Sequence, residues 1–205
     1  ISLTGISRNL LSPIKNPSEI LGGLTERVAN QLGLSSGIPV LVGAGDYPTA
    51  LLGSGACEAG LGSDVTGTST IMTIIHDNPV MHPNVSNLLE PSGRWGSFTL
   101  LDAGGDAIRW ARRAFHENRR SYDDVDKAAT QAEAGSNSLF FLPYLNGERF
   151  SNAPNSRAQF FGLTSGHGSA ELHRSILEGV AFSVRLRLDA LQGSAGRPER
   201  FVASS

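Results

Sequence analysis

The stretch "SDVTGTSTIMTII", residues 63–75, constrains the fold more than any other. Residues 64–66 and 70–75 are rich in β-branched side chains and flank Gly67-Thr68-Ser69, a pattern that predicts two antiparallel strands joined by a tight turn. A lone hairpin cannot bury an apolar face, so it must gain further strands or a helix laid across it. The sequence supplies both. Residues 95–101 predict a third strand, which runs through "DAGGDA" into a helix over 105–117 whose Ile108, Trp110, Ala111 and Phe115 keep helical spacing. Ser121 with Asp123 and Asp124 predicts another helix start, because a hydroxyl and two carboxylates satisfy free N–H groups there; that helix is expected to end near Gly135. "LFFLPYL", 139–145, predicts a fourth strand buried on both faces, followed by a long loop. Ser169 opens the longest helix, with Leu172, Ile176, Val180, Val184, Leu188 and Leu191 on one stripe and Gly193 closing it, and "RFVA" predicts a last strand.

Upstream, Leu21, Leu24, Val28 and Leu32 recur at helical steps before Gly33, which predicts a helix over 24–32. A short strand over 39–42 leads into Gly43-Ala-Gly45-Asp46, with a further helical turn or two over 48–52, Pro48 at its first position and Asp46 just ahead of it. Glycines 53, 55, 60 and 62 predict a loop and the place for a domain hinge. The alternation of strands and helices is that of an α/β fold.

The sequence holds 17 Lys plus Arg against 19 Asp plus Glu, a net charge of −2, so nothing electrostatic draws the chain to nucleic acid or anionic lipid. Its apolar runs fall far short of the roughly 20 residues a transmembrane helix needs. One cysteine, Cys57, excludes an internal disulfide and fits a reducing cytoplasm. Several catalytic motifs fail on inspection. The third glycine of a dinucleotide-binding fingerprint is replaced by Pro48, no Walker-type phosphate loop exists, and "GLTSG" has its serine one place late for a nucleophile elbow. Histidines 76, 82, 116, 167 and 173 lack metal-site spacing and are expected to be solvated or capping.

What survives is Asp46 at the mouth of a glycine loop and the Gly67-Thr68-Ser69 turn. A carboxylate can take a proton from a substrate hydroxyl, and a glycine turn can bring donors close to phosphate oxygens. Together these are two parts of a phosphoryl-transfer site, which needs positioning and charge stabilisation more than covalent chemistry. Each alone has a plainer reading, Asp46 as a cap and Thr68 and Ser69 as ordinary strand residues.

The runs "GIPVLVGAGDYPTALLGSGACEAGLGSDVTGTST", "FFLPYLNGERF" and "AQFFGLTSGHGSAELHRSILEGVAFSVR" strongly resemble the FGGY family of carbohydrate kinases, most closely its xylulokinase-like members, over nearly the whole chain. The resemblance implies an actin-like ATPase (RNase H-like) fold with a mixed sheet flanked by helices. Residues 1–60 would be the tail of the N-terminal sugar-binding domain, and 61–205 most of the C-terminal nucleotide-binding domain. It implies ATP with Mg²⁺, a small-molecule sugar partner, a cytoplasmic location and a possible homodimer. Asp46 would be the general base, Gly67, Thr68 and Ser69 would contact ATP phosphates, and "AGGDAIRW" would bring Gly105 and Arg109 beside them; no metal ligand is assigned. In Gly147-Glu148-Arg149 the family's usual Thr-Pro continuation is replaced by Phe150-Ser151, and an ion pair anchoring this loop is at least as good a reading as a ligand role. Glu178 and Arg185 are expected to be packing or helix-face charges outside the site. The family's first Asp-x-Gly-Thr motif and its adenine-binding stretch are not found in these residues, so the chain is expected to be a fragment that is not a competent kinase by itself. The rival readings are a non-catalytic actin-like module and an ATPase that needs no sugar.

Overall fold

The computed structural model describes residues 3–116, 118–150, 154–192 and 196–204. The predicted hairpin is its centre. β3 (Leu61–Thr66) and β4 (Thr70–His76) pair antiparallel with Thr66 opposite Thr70, so residues 67–69 alone make the turn. β6 (Trp95–Leu101) pairs with the other side of β4, β5 (Ser86–Leu89) adds to β6, and β9 (Arg200–Ser204) runs parallel to β3. The resulting order is β5-β6-β4-β3-β9, and the sheet is mixed, as the resemblance implies.

Helices cover it. α3 (Gly104–His116) follows β6 directly, and α5 (Ser169–Leu191) crosses the sheet, with Leu191 packed on Met72 and Ile74 of β4. Ile176 of α5, Ala107 and Ala111 of α3 and Phe141 form a second core cluster. The buried stripe of α5 is rotated from the predicted one. His173, Ile176, Gly179, Ser183, Arg187 and Leu191 are buried, while Leu172, Val180, Val184 and Leu188 are half-buried. Close approach decides this: a Cβ on Gly179 would lie 2.2 Å from the Phe141 carbonyl oxygen, so only glycine lets the helix settle onto that backbone. Gly193, Ser151 and residue 117 lie outside the described residues.

Other expectations need correction. α4 (Tyr122–Ala129) begins as predicted, with the Ser121 hydroxyl accepting from the Asp124 N–H and Asp124 accepting from Ser121, but it stops well before Gly135. Beyond it, three consecutive residues with positive φ, Ser136, Asn137 and Ser138, form a turn held by α5, because Glu178 accepts from the Gly135 N–H at 3.0 Å and the Ser136 hydroxyl at 3.1 Å. Of its two expected roles Glu178 thus takes the packing one, as a clamp between elements. β7 (Phe140–Leu142) is not buried on both faces; it pairs with β8 (Gln159–Phe161) in a separate ribbon that leaves Phe140 and Phe161 exposed. β8 falls within the expected long loop and β5 was not predicted, since each is too short to carry a period-2 pattern. Gly53 lies inside a helix and Gly62 inside β3, where the ring of Phe201 occupies the space a Cβ would take.

Towards the N-terminus, β1 (Ile20–Gly23) was not predicted; it pairs antiparallel with β2 (Pro39–Leu41), and α1 (Glu26–Leu32) lies between them, closed by left-handed Gly33. α2 (Asp46–Ser54) starts at Asp46 itself, with extended Gly45 as its cap and Pro48 at its third position. Proline costs nothing there, because the first four N–H groups of a helix have no intrahelical partner. No described helix is long and apolar enough to cross a membrane.

Two histidines are not solvated. His76 and His173 are buried, and His173 Nε2 lies 2.8 Å from His116 Nε2, joining α5 to the end of α3. His82 and His167 do accept from backbone N–H groups in their own loops. Burial, together with the neighbouring His116 and Arg120, pushes His173 down from 6.5 to about 4. The unfolded chain takes up that proton near pH 6.5 while the folded chain stays neutral to about 4, so acidification across this window favours unfolding. His173→Gln is expected to remove up to about 3 kcal/mol of acid-induced stability loss between pH 6.5 and 4, read from urea midpoints at each pH.

Candidate active site

The turn between β3 and β4 is held from below by the start of α3. The Gly105 N–H donates to the Gly67 carbonyl at 3.1 Å and the Asp106 N–H to the Thr68 carbonyl at 3.0 Å. Helix-start N–H groups have no partners in their own helix, so the turn carbonyls satisfy two of them. This contact needs both glycines of the "AGG" segment. A Cβ on Gly104 would fall 2.2 Å from the Thr70 hydroxyl, and one on Gly105 would fall 2.2 Å from the Gly67 carbonyl oxygen. Two carbonyls that would repel an anion thus face the helix. Gly67 and Thr68 are exposed and Ser69 half-exposed, and nothing lies within 4 Å of where a Gly67 Cβ would be, so a ligand can approach the backbone. Arg109, one turn into α3, donates from Nη2 to the Thr68 hydroxyl at 3.1 Å and lies 3.6 Å from Asp106. The structure therefore brings Gly67, Thr68, Ser69, Gly105 and Arg109 together. The Gly105 N–H, however, is spent on the turn, which makes Gly105 a support for it.

Asp46 is exposed in the first turn of α2, with Oδ1 accepting from the Tyr47 N–H at 2.7 Å. Tyr47 points inward, its hydroxyl 2.6 Å from the Thr73 hydroxyl and its ring edge-on to Phe98 at 5.9 Å. Thr73 lies three residues along β4 from Thr70, about 10 Å from the foot of the turn. Asp46 is thus carried by a residue that touches the same hairpin. Burial pushes the Tyr47 phenol up, so it stays protonated at neutral pH.

Gly147-Glu148-Arg149 makes two ion pairs, both with partners distant in sequence. Arg149 donates from its backbone N–H and from Nε to Asp102, at 3.1 and 2.8 Å. Asp102 is the residue that follows β6 and leads into α3. Burial works to raise Asp102, but the hydrogen bonds and charge of Arg149 outweigh it and hold the carboxyl below the ordinary range. Glu148 is buried and lies 2.6 Å from buried Arg187 of α5, which also donates to the Leu100 and Ser183 carbonyls at 3.0 Å. Burial pushes the Glu148 carboxyl up against the pull of Arg187. The loop is therefore an anchor between β6, α3 and α5. Tyr47, Asp102 and Arg187 were not singled out from the sequence; a signal existed for Arg187, which stands four residues from Leu191 on the face of α5 that packs on the sheet.

The description "FGGY family of carbohydrate kinases, C-terminal domain" matches residues 63–204, and its N-terminal counterpart matches residues 1–53. The chain belongs to the FGGY family of carbohydrate kinases. It is similar to the xylulose kinase of Escherichia coli K12, 29% identical over 95% of this chain and 40% of the relative. It is also similar to the gluconokinase of Bacillus subtilis 168, 29% identical over 90% of this chain and 38% of that protein. A solved xylulose kinase from Rhodospirillum rubrum superposes with a TM-score of 0.90, at 26% identity, over 100% of this chain and 42% of the other. The mixed sheet and its helices are thus part of the actin-like ATPase fold of these kinases. The chain spans about two-fifths of the length of the curated relatives it matches.

Removing one member of a buried pair leaves the other charge without its counterion. Glu148→Ala is therefore expected to cost about 3 kcal/mol of unfolding free energy, measured by urea denaturation.

Proposed function

We propose that this chain carries the catalytic base and the phosphate turn of an enzyme that transfers the γ-phosphoryl group of ATP to a sugar hydroxyl. The observation that carries the reading is the assembled turn, with Gly67 open to close approach, the Thr68 and Ser69 hydroxyls beside it, and Arg109 fixed on Thr68. Hydroxyls, an open backbone and a guanidinium suit the spread negative charge of a phosphoryl group in transfer. Asp46 accepts the proton of the sugar hydroxyl as that oxygen attacks the γ-phosphorus, the bond to the β-phosphate oxygen breaks, and ADP leaves. Arg109 compensates the charge gathering on the phosphate oxygens.

A magnesium ion fits this arrangement as a companion of the nucleotide. Such ions take most of their ligands from phosphates and water, with one or two carboxylates at most, and no cluster of three or more acidic, His or Cys side chains exists among the described residues. Bound there it would neutralise phosphate charge. Two solved structures of similar fold are named for different substrates, a xylulose kinase and a gluconate kinase, and a ketopentose or a related sugar is the substrate class this reading favours. The relatives are kinases of sugars, which favours this reading over a non-catalytic module or a sugar-independent ATPase.

In the intact polypeptide, Asp46→Asn is expected to lower kcat about 10³-fold while ATP affinity, measured by calorimetric titration, stays close to wild type. Unchanged turnover would remove Asp46 from its role. Gly105→Ala must push the turn away from α3, since its Cβ would meet the Gly67 carbonyl at 2.2 Å. Its expected effect is the opposite split, with ATP affinity falling about 10-fold or more because the phosphate-binding groups are displaced.

A further inference from the structure

We propose that Tyr47 is a positioning residue that fixes the Asp46 carboxylate against the phosphate hairpin through its hydroxyl bond to Thr73. The inference rests on the reading of Asp46 as the base. Neighbouring residues of an α-helix point about 100° apart, so in the first turn of α2 one side chain can face solvent while the next faces the protein. Asp46 takes the first place and Tyr47 the second.

Tyr47 links the carboxylate to the sheet through two contacts, one from its backbone and one from its side chain. Its backbone N–H donates to Asp46 Oδ1 at 2.7 Å, which sets the orientation of the carboxyl group. Its ring reaches the other way, and the hydroxyl meets Thr73 Oγ1 at 2.6 Å. Thr73 is an unyielding partner. It is fully buried in β4, the middle strand of the sheet, with Ser63 of β3 on one side and Phe98 of β6 on the other. Phe98 meets the Tyr47 ring edge-on and lies 6.2 Å from the ring of Phe150, at the end of the Gly147-Glu148-Arg149 loop. The ring is therefore fixed by a hydrogen bond at its tip and an aromatic contact at its side.

The bond also joins the two matched regions. Tyr47 lies within residues 1–53 and Thr73 within residues 63–204, the N- and C-terminal family domains. From Thr73, β4 runs directly to Thr70 and the Gly67-Thr68-Ser69 turn. A carboxylate on one side and phosphate-binding groups on the other must stay in register for in-line transfer, and misplacement of reacting groups by about 1 Å can cost about 10²-fold in rate. Burial keeps the phenol protonated, so the tie persists across neutral and mildly alkaline pH.

The test uses the intact polypeptide, with ATP and with xylulose or gluconate as sugar probes. Tyr47→Phe and Thr73→Val each remove one oxygen and are expected to lower kcat about 5-fold, with KM for ATP within about 2-fold of wild type. The double variant should fall no further than either single one, because both remove the same bond. Thr73→Ser, which keeps the hydroxyl, should rescue most of the loss, whereas a merely structural role would follow urea stability instead of hydroxyl content. Wild-type kcat in both single variants, or losses that multiply in the double, overturns the proposal while Asp46→Asn remains inactive. An active Asp46→Asn variant overturns the base assignment itself, so the two failures are distinguishable.

Discussion

The docking of the α3 N-terminus beneath the β3–β4 turn is the contact on which the candidate site depends. Two backbone bonds, from Gly105 to Gly67 and from Asp106 to Thr68, join the start of a helix to a turn some forty residues earlier in sequence. A helix start has spare donors and a tight turn has spare acceptors, so each satisfies the other without a side chain. The contact works only because Gly104 and Gly105 present no Cβ to Thr70 and Gly67. Once it forms, the same helix places Arg109 on the Thr68 hydroxyl. Electrostatics and backbone geometry therefore come from one joint.

That joint needs α3 to leave β6 at a fixed angle, and the charged network around Asp102 supplies the constraint. Arg149 grips Asp102 where β6 gives way to α3, while the adjacent Glu148 is tied to Arg187 and through it to Leu100 near the end of β6 and to α5. Burying these charges is costly, and replacing such a pair by apolar residues is often neutral or stabilising. Its value here is geometric. One buried guanidinium binds two carbonyls and a carboxylate in a fixed fork, which an apolar side chain could not do.

Much of the fold was legible because it is written in local pattern. The β-branched arms around Gly67-Thr68-Ser69, the Ser121 cap, left-handed Gly33 and the long periodic helix from Ser169 all reflect neighbours within a few residues. Where the pattern was short it misled. β5 and β8 are three or four residues long, and the "LFFLPYL" run was apolar enough to suggest burial on both faces although its ribbon leaves Phe140 exposed. The rotation of the α5 stripe has a sharper cause. Helical spacing favours the largest apolar residues, but the closest approach goes to the smallest, and Gly179 and Ser183 sit where α5 meets neighbouring backbone or sheet.

By itself the sequence determined that a glycine turn ends a hairpin, that Asp46 stands at the mouth of a glycine loop, and that helices alternate with strands. Turn chemistry and periodicity act over a few bonds and need no distant partner. Only the tertiary structure decided which way each donor faces: the Gly105 N–H into the turn, Arg109 onto Thr68, Tyr47 onto Thr73, Arg187 onto Glu148 of the 147–149 loop. Those choices depend on which backbones can approach without a Cβ between them and on which charges lose water together. Both are properties of packed neighbours far apart in the chain, so no local stretch encodes them.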